Sequence, residues 1–235
     1  DNSNKIILDL CGGTGSWSKP YKDAGYKVYT ITLPDFDVRK ARLDYKNGIM
    51  EFPNKKTGGF VGIGRKAVYG ILAAPPCTMF SFARTNAKKP RDLKEGMECV
   101  RACLDIIYFC NEISQPTAKK TLPLKFWALE NPYHGFLKQV IGNPTFEFEP
   151  YDFGDNYQKH TALWGYFILP LKEIVKTPSI YTLKRTKFDY MKSKDISPEN
   201  FGKFDRQTRR SITPQGFAKA FYKANPYIKN YDKTT

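Results

Sequence analysis

What this chain lacks narrows it first. No apolar run approaches the roughly 18 residues that span a bilayer, so no membrane helix is expected. No secretory signal pattern opens the sequence. Histidine is almost absent: His134 and His160 are the only two in 235 residues, which argues against a histidine-built metal centre. The five cysteines, at positions 11, 77, 99, 103 and 110, are odd in number and include no Cys-x-x-Cys pair. That pattern argues against a disulfide framework and against zinc, and for a reducing compartment. The expected protein is therefore metal-free, and the cytoplasm suits it. There is no internal repeat, which argues against a solenoid, and no low-complexity tract. Acidic residues are few beside basic ones, 23 against 38, for a net charge of +15. Such an excess points to a polyanionic partner. The plainer reading, a generically basic protein, stays open at this level.

With 41% hydrophobic residues the chain can build a proper core, as one large domain or a domain with a small appendage. Its most informative stretch is Gly70-Ile71-Leu72-Ala73-Ala74-Pro75-Pro76-Cys77-Thr78-Met79-Phe80-Ser81. A short apolar run ends in a double proline, with a cysteine directly after it. This reads as a buried parallel strand feeding a stiff loop at its C-terminal end, where open α/β sheets keep their chemistry. A free cysteine is more commonly a small buried hydrophobe, and from this stretch alone both readings stand.

Two further stretches have the same grammar. Lys5 to Leu10 reads as a strand, Cys11 to Ser16 as a glycine-rich turn, and Trp17 to Gly25 as a helix. Strand, glycine turn and helix open a nucleotide-binding α/β unit, because glycines let a ligand approach the backbone. The turn has neither dinucleotide-fingerprint nor P-loop spacing, and a simple tight turn is the alternative. Lys125 to Leu129 reads as another buried strand, with Glu130-Asn131-Pro132 ending it. A carboxylate at the tip of an apolar strand is costly unless it has a task, although Glu is usually solvated. Cys77 and Glu130 should then share one rim.

The rest of the chain fills in around these. Tyr26 to Leu33 alternates like a second strand, with Thr32 at its tip and Asp37 and Val38 beyond as candidate walls of an adenine pocket or plain turn residues. Residues 40–66 suggest a β-hairpin, with Lys55 and Lys56 at its tip. Thr85 to Arg91 has the composition of a lid. Leu93 to Ser114 is a helix whose buried face is expected to carry Met97, Val100, Leu104, Ile107 and Tyr108, with Cys99, Cys103 and Cys110 as packing residues. Phe148 to Phe153 and Thr161 to Phe167 read as strands, joined through the polar turn Tyr157-Gln158-Lys159-His160-Thr161. From Leu171 to Ile212 there are eleven Lys/Arg against five Asp/Glu, interleaved with aromatics, a mixture suited to phosphate and base contact. Pro214 to Ala224 reads as a final helix with Phe217, Ala218, Ala220 and Phe221 toward the core.

Asp9-Leu10-Cys11-Gly12-Gly13-Thr14-Gly15, Pro75-Pro76-Cys77-Thr78-Met79-Phe80-Ser81 and Glu130-Asn131-Pro132 stand in the order and spacing of the DNA cytosine-5 methyltransferases. The chain resembles the short, single-domain members carried by phages, over roughly positions 5–33 and 68–170. The resemblance implies a Rossmann-like class I methyltransferase sheet flanked by helices, with a small basic target-recognition segment. The division expected is 1–170 for the catalytic domain, 171–210 for recognition and 211–235 for a helix packing back. The resemblance further implies S-adenosyl-L-methionine as cofactor, double-stranded DNA as partner, a monomer, and methylation of a flipped cytosine at C5, with protection of phage DNA against restriction as the biological role by analogy.

Carried over residue by residue, Cys77 is the nucleophile that adds to C6, Glu130 the partner of N3, and Lys159 the charge beside Glu130. Asp9, Leu10, Cys11, Gly12, Thr14, Gly15, Thr32, Asp37 and Pro75 would line the cofactor site. Ser81, Arg84, Lys184, Arg185, Arg209 and Arg210 would touch DNA. Departures are plain too. Gln158-Lys159-His160-Thr161 stands where the family has a Gln followed by an Arg-x-Arg element, and a lysine is a point charge rather than a fork. The ribose-binding acid is replaced by Thr32, the aromatic after Asp-Leu by Cys11, and Ser211-Ile212-Thr213-Pro214 stands in for the element that closes the cofactor pocket. Two alternatives remain at this level: a methyltransferase-fold DNA-binding protein impaired in catalysis, and an RNA cytosine methyltransferase.

Overall fold

The computed structural model describes residues 1–82, 88–112, 124–155, 157–173, 203–204 and 206–226. Most of the basic 171–210 segment, with Lys184 and Arg185, lies outside the described residues, as do Arg84 and residues 85–87 of the expected lid. Within them the strands are β1 (Ile6–Leu10), β2 (Lys27–Ile31), β3 (Arg42–Asp44), β4 (Ile49–Pro53), β5 (Phe60–Gly64), β6 (Val68–Ala73), β7 (Phe126–Pro132), β8 (Phe146–Phe148) and β9 (Thr161–Tyr166). The helices are α1 (Lys19–Asp23), α2 (Leu93–Asn111), α3 (Leu137–Ile141), α4 (Arg206–Ser211) and α5 (Gln215–Ala224).

Six strands form one mixed sheet in the order β2-β1-β6-β7-β9-β8. The first four run parallel, and β9 and β8 close one side antiparallel. The chain steps from β1 outward to β2, then returns to place β6 on the other side of β1. The order therefore reverses between β1 and β6, and such a switch opens a crevice beyond the C-terminal ends of those strands. Strands buried on both faces should be apolar throughout rather than alternating, and β1 is buried at all five positions.

Side-chain alternation divides the core in two. Ile6, Leu8 and Leu10 of β1, with Ile71 and Ala73 of β6, face α2 and the small sheet β3-β4-β5. Ile7, Leu72, Phe126 and Ala128 face the other way, toward α1 and α5. The second layer is aromatic: Phe217 stacks on Phe148 at 3.9 Å, and Phe221 meets Trp17 edge-on at 5.5 Å. The glycine of α5, Gly216, lets that helix approach the carbonyl of Phe153, where a side chain would collide at 2.1 Å.

Several expected elements change in detail. The strand expected over Phe148 to Phe153 is a short β8 followed by a 3₁₀ turn at Pro150–Phe153. Pro150 denies a ladder donor, and Glu149 and Asp152 form a reciprocal capping box that starts the turn. The helix expected from Trp17 shrinks to the five residues of α1, because Trp17 and Ser18 are drawn into the core. On α2, Tyr108 is exposed, and Cys103, Ile106 and Cys110 hold the buried face with Val100 and Ile107. The excursion at 40–66 is a three-stranded sheet, containing the expected hairpin between β4 and β5 and the additional strand β3. Glu130 was expected past a strand end, but β7 continues through Pro132 because β9 pairs with Glu130, Asn131 and Pro132.

Candidate active site

The register sets the geometry. Leu10 of β1 lies opposite Ala73 of β6, and Ala73 lies opposite Leu129 of β7. The residues that follow, Cys11 to Ser16, Ala74 to Cys77 and Glu130, therefore open onto one rim at the switch point. Ala74 N–H donates to Leu10 C=O at 2.9 Å, which carries the pairing of β1 and β6 one step further. Asn131 is buried, and its side-chain NH₂ donates to Pro75 C=O at 3.0 Å, tying β7 to the proline loop. Alternation along β7 puts Glu130 and Asn131 on opposite faces, so adjacent residues do separate jobs: Asn131 anchors the loop and Glu130 turns to Lys159.

After Pro75 and Pro76 the chain turns at Cys77, whose carbonyl accepts from the N–H groups of Phe80 and Ser81, both at 2.9 Å. Arg91 clasps the far side of this loop: it donates to the carbonyl oxygens of Met79 and Ser81 and stacks on Phe136. Ser81 also bridges Gly135, so the loop is held from both ends. Arg91 has no signal in the sequence; its role appears only once the chain is folded.

Glu130 meets Lys159, with Nζ 3.7 Å from Oε1 and both side chains about one-seventh exposed (14% and 15%), which limits solvent screening of the pair. Lys159 Nζ also donates to Ile212 C=O at 3.3 Å. The Cys77 thiol is half-buried. Burial pushes its pKa up, and the charge of Glu130 pushes the same way, while Lys159 and Arg210 pull it down. Cys77, Glu130 and Lys159, the three expected catalytic residues, are thus one electrostatic group, and Arg210 belongs to it. Arg210 was expected as a DNA contact. Arg209 lies beside it on α4.

The glycine turn forms the other wall. Cys11, Gly13 and Gly15 all have left-handed φ, at 57°, 55° and 73°. Gly15 N–H donates back to Gly12 C=O at 2.9 Å, and Thr14 Oγ1 shares a hydrogen bond with Ser16 at 2.8 Å. Gly12 has a packing reason to be glycine: a Cβ there would lie 2.2 Å from the Asp9 carboxyl carbon. Asp9 is fully buried. Ser18 Oγ donates to its Oδ2, while Oδ1 has no partner among the described residues. Burial raises the Asp9 pKa to about 6, with the Ser18 hydrogen bond pulling the other way. Thr32 Oγ1 accepts from Gly13 N–H at 3.3 Å, so the tip of β2 faces the turn. Asp37 is engaged elsewhere: its carboxylate binds Arg39 at 2.8 Å and Lys55 at 3.3 Å, which hold its pKa well below the usual range. Val38 beside it belongs to the core. Ser211 Oγ stands 3.9 Å from where a Gly13 Cβ would be, so the 211–214 stretch does border the turn.

Among the described residues no group of three or more His, Cys, Asp or Glu is placed to hold a metal ion, and no helix is long and apolar enough to cross a membrane. No protein-family model matches the chain, and no curated protein matches it.

Proposed function

We propose that this chain is a DNA cytosine-5 methyltransferase that uses S-adenosylmethionine. The observation that carries the reading is the gathering of Cys77, Glu130 and Lys159 on one rim beside the glycine turn, at the point where the strand order reverses.

The residues fit an adenosyl ligand on the turn side. Gly13 and Thr14 are exposed there, the left-handed residues leave the backbone open to close approach, and Thr32 presents a hydroxyl to the same turn. Leu10 to Gly15, Thr32 and Pro75 would hold it, with Asp9 supporting the turn from beneath. Asp37 would serve only as wall, since Arg39 and Lys55 occupy its carboxylate. When bound, S-adenosylmethionine supplies an electrophilic methyl group.

The chain's own residues answer the difficulty of the substrate. Cytosine C5 is a poor nucleophile. Cys77 Sγ, once deprotonated, adds to C6, and the C5–C6 π electrons make C5 nucleophilic. Glu130 engages N3 to stabilise the adduct, and Lys159 holds Glu130 in place. After C5 has accepted the methyl group, C5 loses its proton, the C6–S bond breaks, and the double bond returns as Cys77 leaves. None of these atoms is reachable inside a duplex, so the base must leave the stack. The Rossmann-like sheet, with its antiparallel side strands, supports a class I methyltransferase fold, and the basic 171–210 segment supports recognition of a short DNA sequence. Protection of phage DNA follows by analogy.

The test is transfer of labelled methyl from S-adenosylmethionine to duplex DNA, with the label located by nucleoside analysis. Label on cytosine C5 is expected, and label on adenine N6 or cytosine N4 sinks the reading. One observation favours a second reading. Burial and Glu130 keep the resting Cys77 thiol protonated, as they would in a DNA-binding protein with impaired catalysis. DNA carrying 5-fluorocytosine separates the two: the enzyme forms a covalent adduct lost in Cys77→Ser, and the binder forms none. Structured RNA competing better than duplex DNA at matched salt would redirect the substrate to RNA.

A further inference from the structure

The loop after β6 has no regular structure, so its carbonyl groups must find partners from elsewhere. Those on either side of Cys77 do. Pro75 C=O accepts from the Asn131 side chain at 3.0 Å. Cys77 C=O accepts from the N–H groups of Phe80 and Ser81, and Phe80 C=O accepts from Phe136 N–H at 3.0 Å. The carbonyls of Met79 and Ser81 both go to Arg91, one to each terminal nitrogen of its guanidinium. Asn131 thus holds the chain just before Cys77, and Arg91 holds it just after.

Arg91 is itself fixed. It stands directly before α2, where the N-cap Asp92 accepts from Glu95 N–H at 2.9 Å. The first turn of α2 lies against the same loop, since a Cβ on Gly96 would fall 2.7 Å from the Met79 side chain. The guanidinium rests over Phe136, 4.8 Å from the ring centre, and Phe82 meets that ring edge-on at 4.8 Å. Its charge therefore meets carbonyl dipoles and a ring, and no carboxylate among the described residues. A planar fork that donates two ways while stacking is particular to arginine. Lysine carries the same charge but offers neither the fork nor the flat face.

We propose that Arg91 is a positioning residue for Cys77: its fork fixes the carbonyls of Met79 and Ser81 and, with Asn131 on the other side, holds the proline loop in place for the addition to C6. This rests on the reaction proposed above for its purpose, but the state of the loop can be read without it. It sets Arg91 apart from a phosphate contact, the role suggested by its place at the end of a basic stretch.

The test compares wild type, Arg91→Lys and Arg91→Gln as full chains. Amide hydrogen exchange, followed by mass spectrometry without DNA or cofactor, is read on a peptide spanning 77–82 and, as a check of the fold, on one spanning 5–10. Transfer of labelled methyl from S-adenosylmethionine to unmethylated plasmid DNA gives kcat and KM. Both variants are expected to speed exchange in 77–82 about tenfold, the scale of the hydrogen bonds lost, and to leave 5–10 unchanged. Both should lower kcat about tenfold while KM for DNA stays within about twofold. Lysine should not rescue, because the fork rather than the charge is used. Unchanged exchange in 77–82 overturns the proposal, and so does an equal rise in 5–10, which would mean general loosening. Faster exchange with an unchanged kcat overturns it as well, since the contacts would then be structural only. A raised KM that lysine restores also overturns it and gives Arg91 to phosphate. Faster exchange confined to 77–82, in a protein whose wild type transfers no methyl group, would sink the methyltransferase reading and leave the hold of Arg91 on the loop standing.

Discussion

β1 and β6 are parallel neighbours, and each ends in a loop that carries a cysteine. The two thiols have opposite surroundings. Cys11 lies within hydrogen-bond reach of Cys103 and Cys99 on α2, and the Cys103 contact, ahead of burial, pushes its pKa far up. Cys77 instead feels the carboxylate of Glu130 and the cations Lys159 and Arg210. Both cysteines follow an apolar strand at the same rim, so the position at a strand tip does not make a nucleophile. The difference is whether cations stand near the sulfur, or other thiols and the buried carboxyl of Asp9.

The sharpest way to break this contrast is to remove each sulfur's reactivity in turn. Cys77→Ser is expected to lower methyl transfer by about 10³-fold or more, and Cys11→Ser by no more than about threefold, measured as label incorporated into duplex DNA. Equal losses would erase the distinction. Next in size, Glu130→Gln should cost about 10²-fold in the same assay, in the range for a lost acid–base partner. Lys159→Met should cost about tenfold, because it loosens Glu130 without deleting it.

The β1 side predicts a stability effect instead. Asp9 has a folded-state pKa of about 6 against 3.8 for an unperturbed carboxyl. Folding therefore favours its protonated form. The stability so contributed is full below about pH 4 and is lost as the pH climbs through about 6, by about 3 kcal/mol in all. Asp9→Asn should flatten the dependence of the unfolding midpoint on pH across that window, seen by thermal denaturation at several pH values. A wild-type and variant difference that stays constant from pH 4 to 7 would remove Asp9 as its source. A smaller expected effect is that of Thr32→Val, which deletes the acceptor of the Gly13 N–H and should weaken cofactor binding by about fivefold in a calorimetric titration, the scale of one hydrogen bond.

Much of this molecule was legible from local pattern. The apolar runs at Lys5–Leu10, Gly70–Ala74 and Lys125–Leu129, each stopped by Gly or Pro, announce buried strands with chemistry at their tips, and all three strands occur. The hairpin expected within residues 40–66 is the pair β4 and β5. Other features were illegible for physical reasons. Phe148 to Phe153 has strand-like composition, but a capping box at Glu149 and Asp152 outcompetes the ladder. Glu130 read as past a strand end because the pairing that extends β7 comes from β9, distant in sequence. Arg91 read as the end of a basic lid, and nothing beside it in the chain links it to the carbonyls of Met79 and Ser81.

Residue type and short-range order thus specified the strands, the stiff loops and the short roster of groups able to do chemistry, because propensity, periodicity and turn geometry act over a few neighbouring residues. Which cysteine lies among charged groups and which acid is braced by a lysine were set by strand order and by where the turn before β9 comes to rest. Those outcomes depend on charges summed through space at a few ångströms, and the chain brings those charges together from far apart along its length.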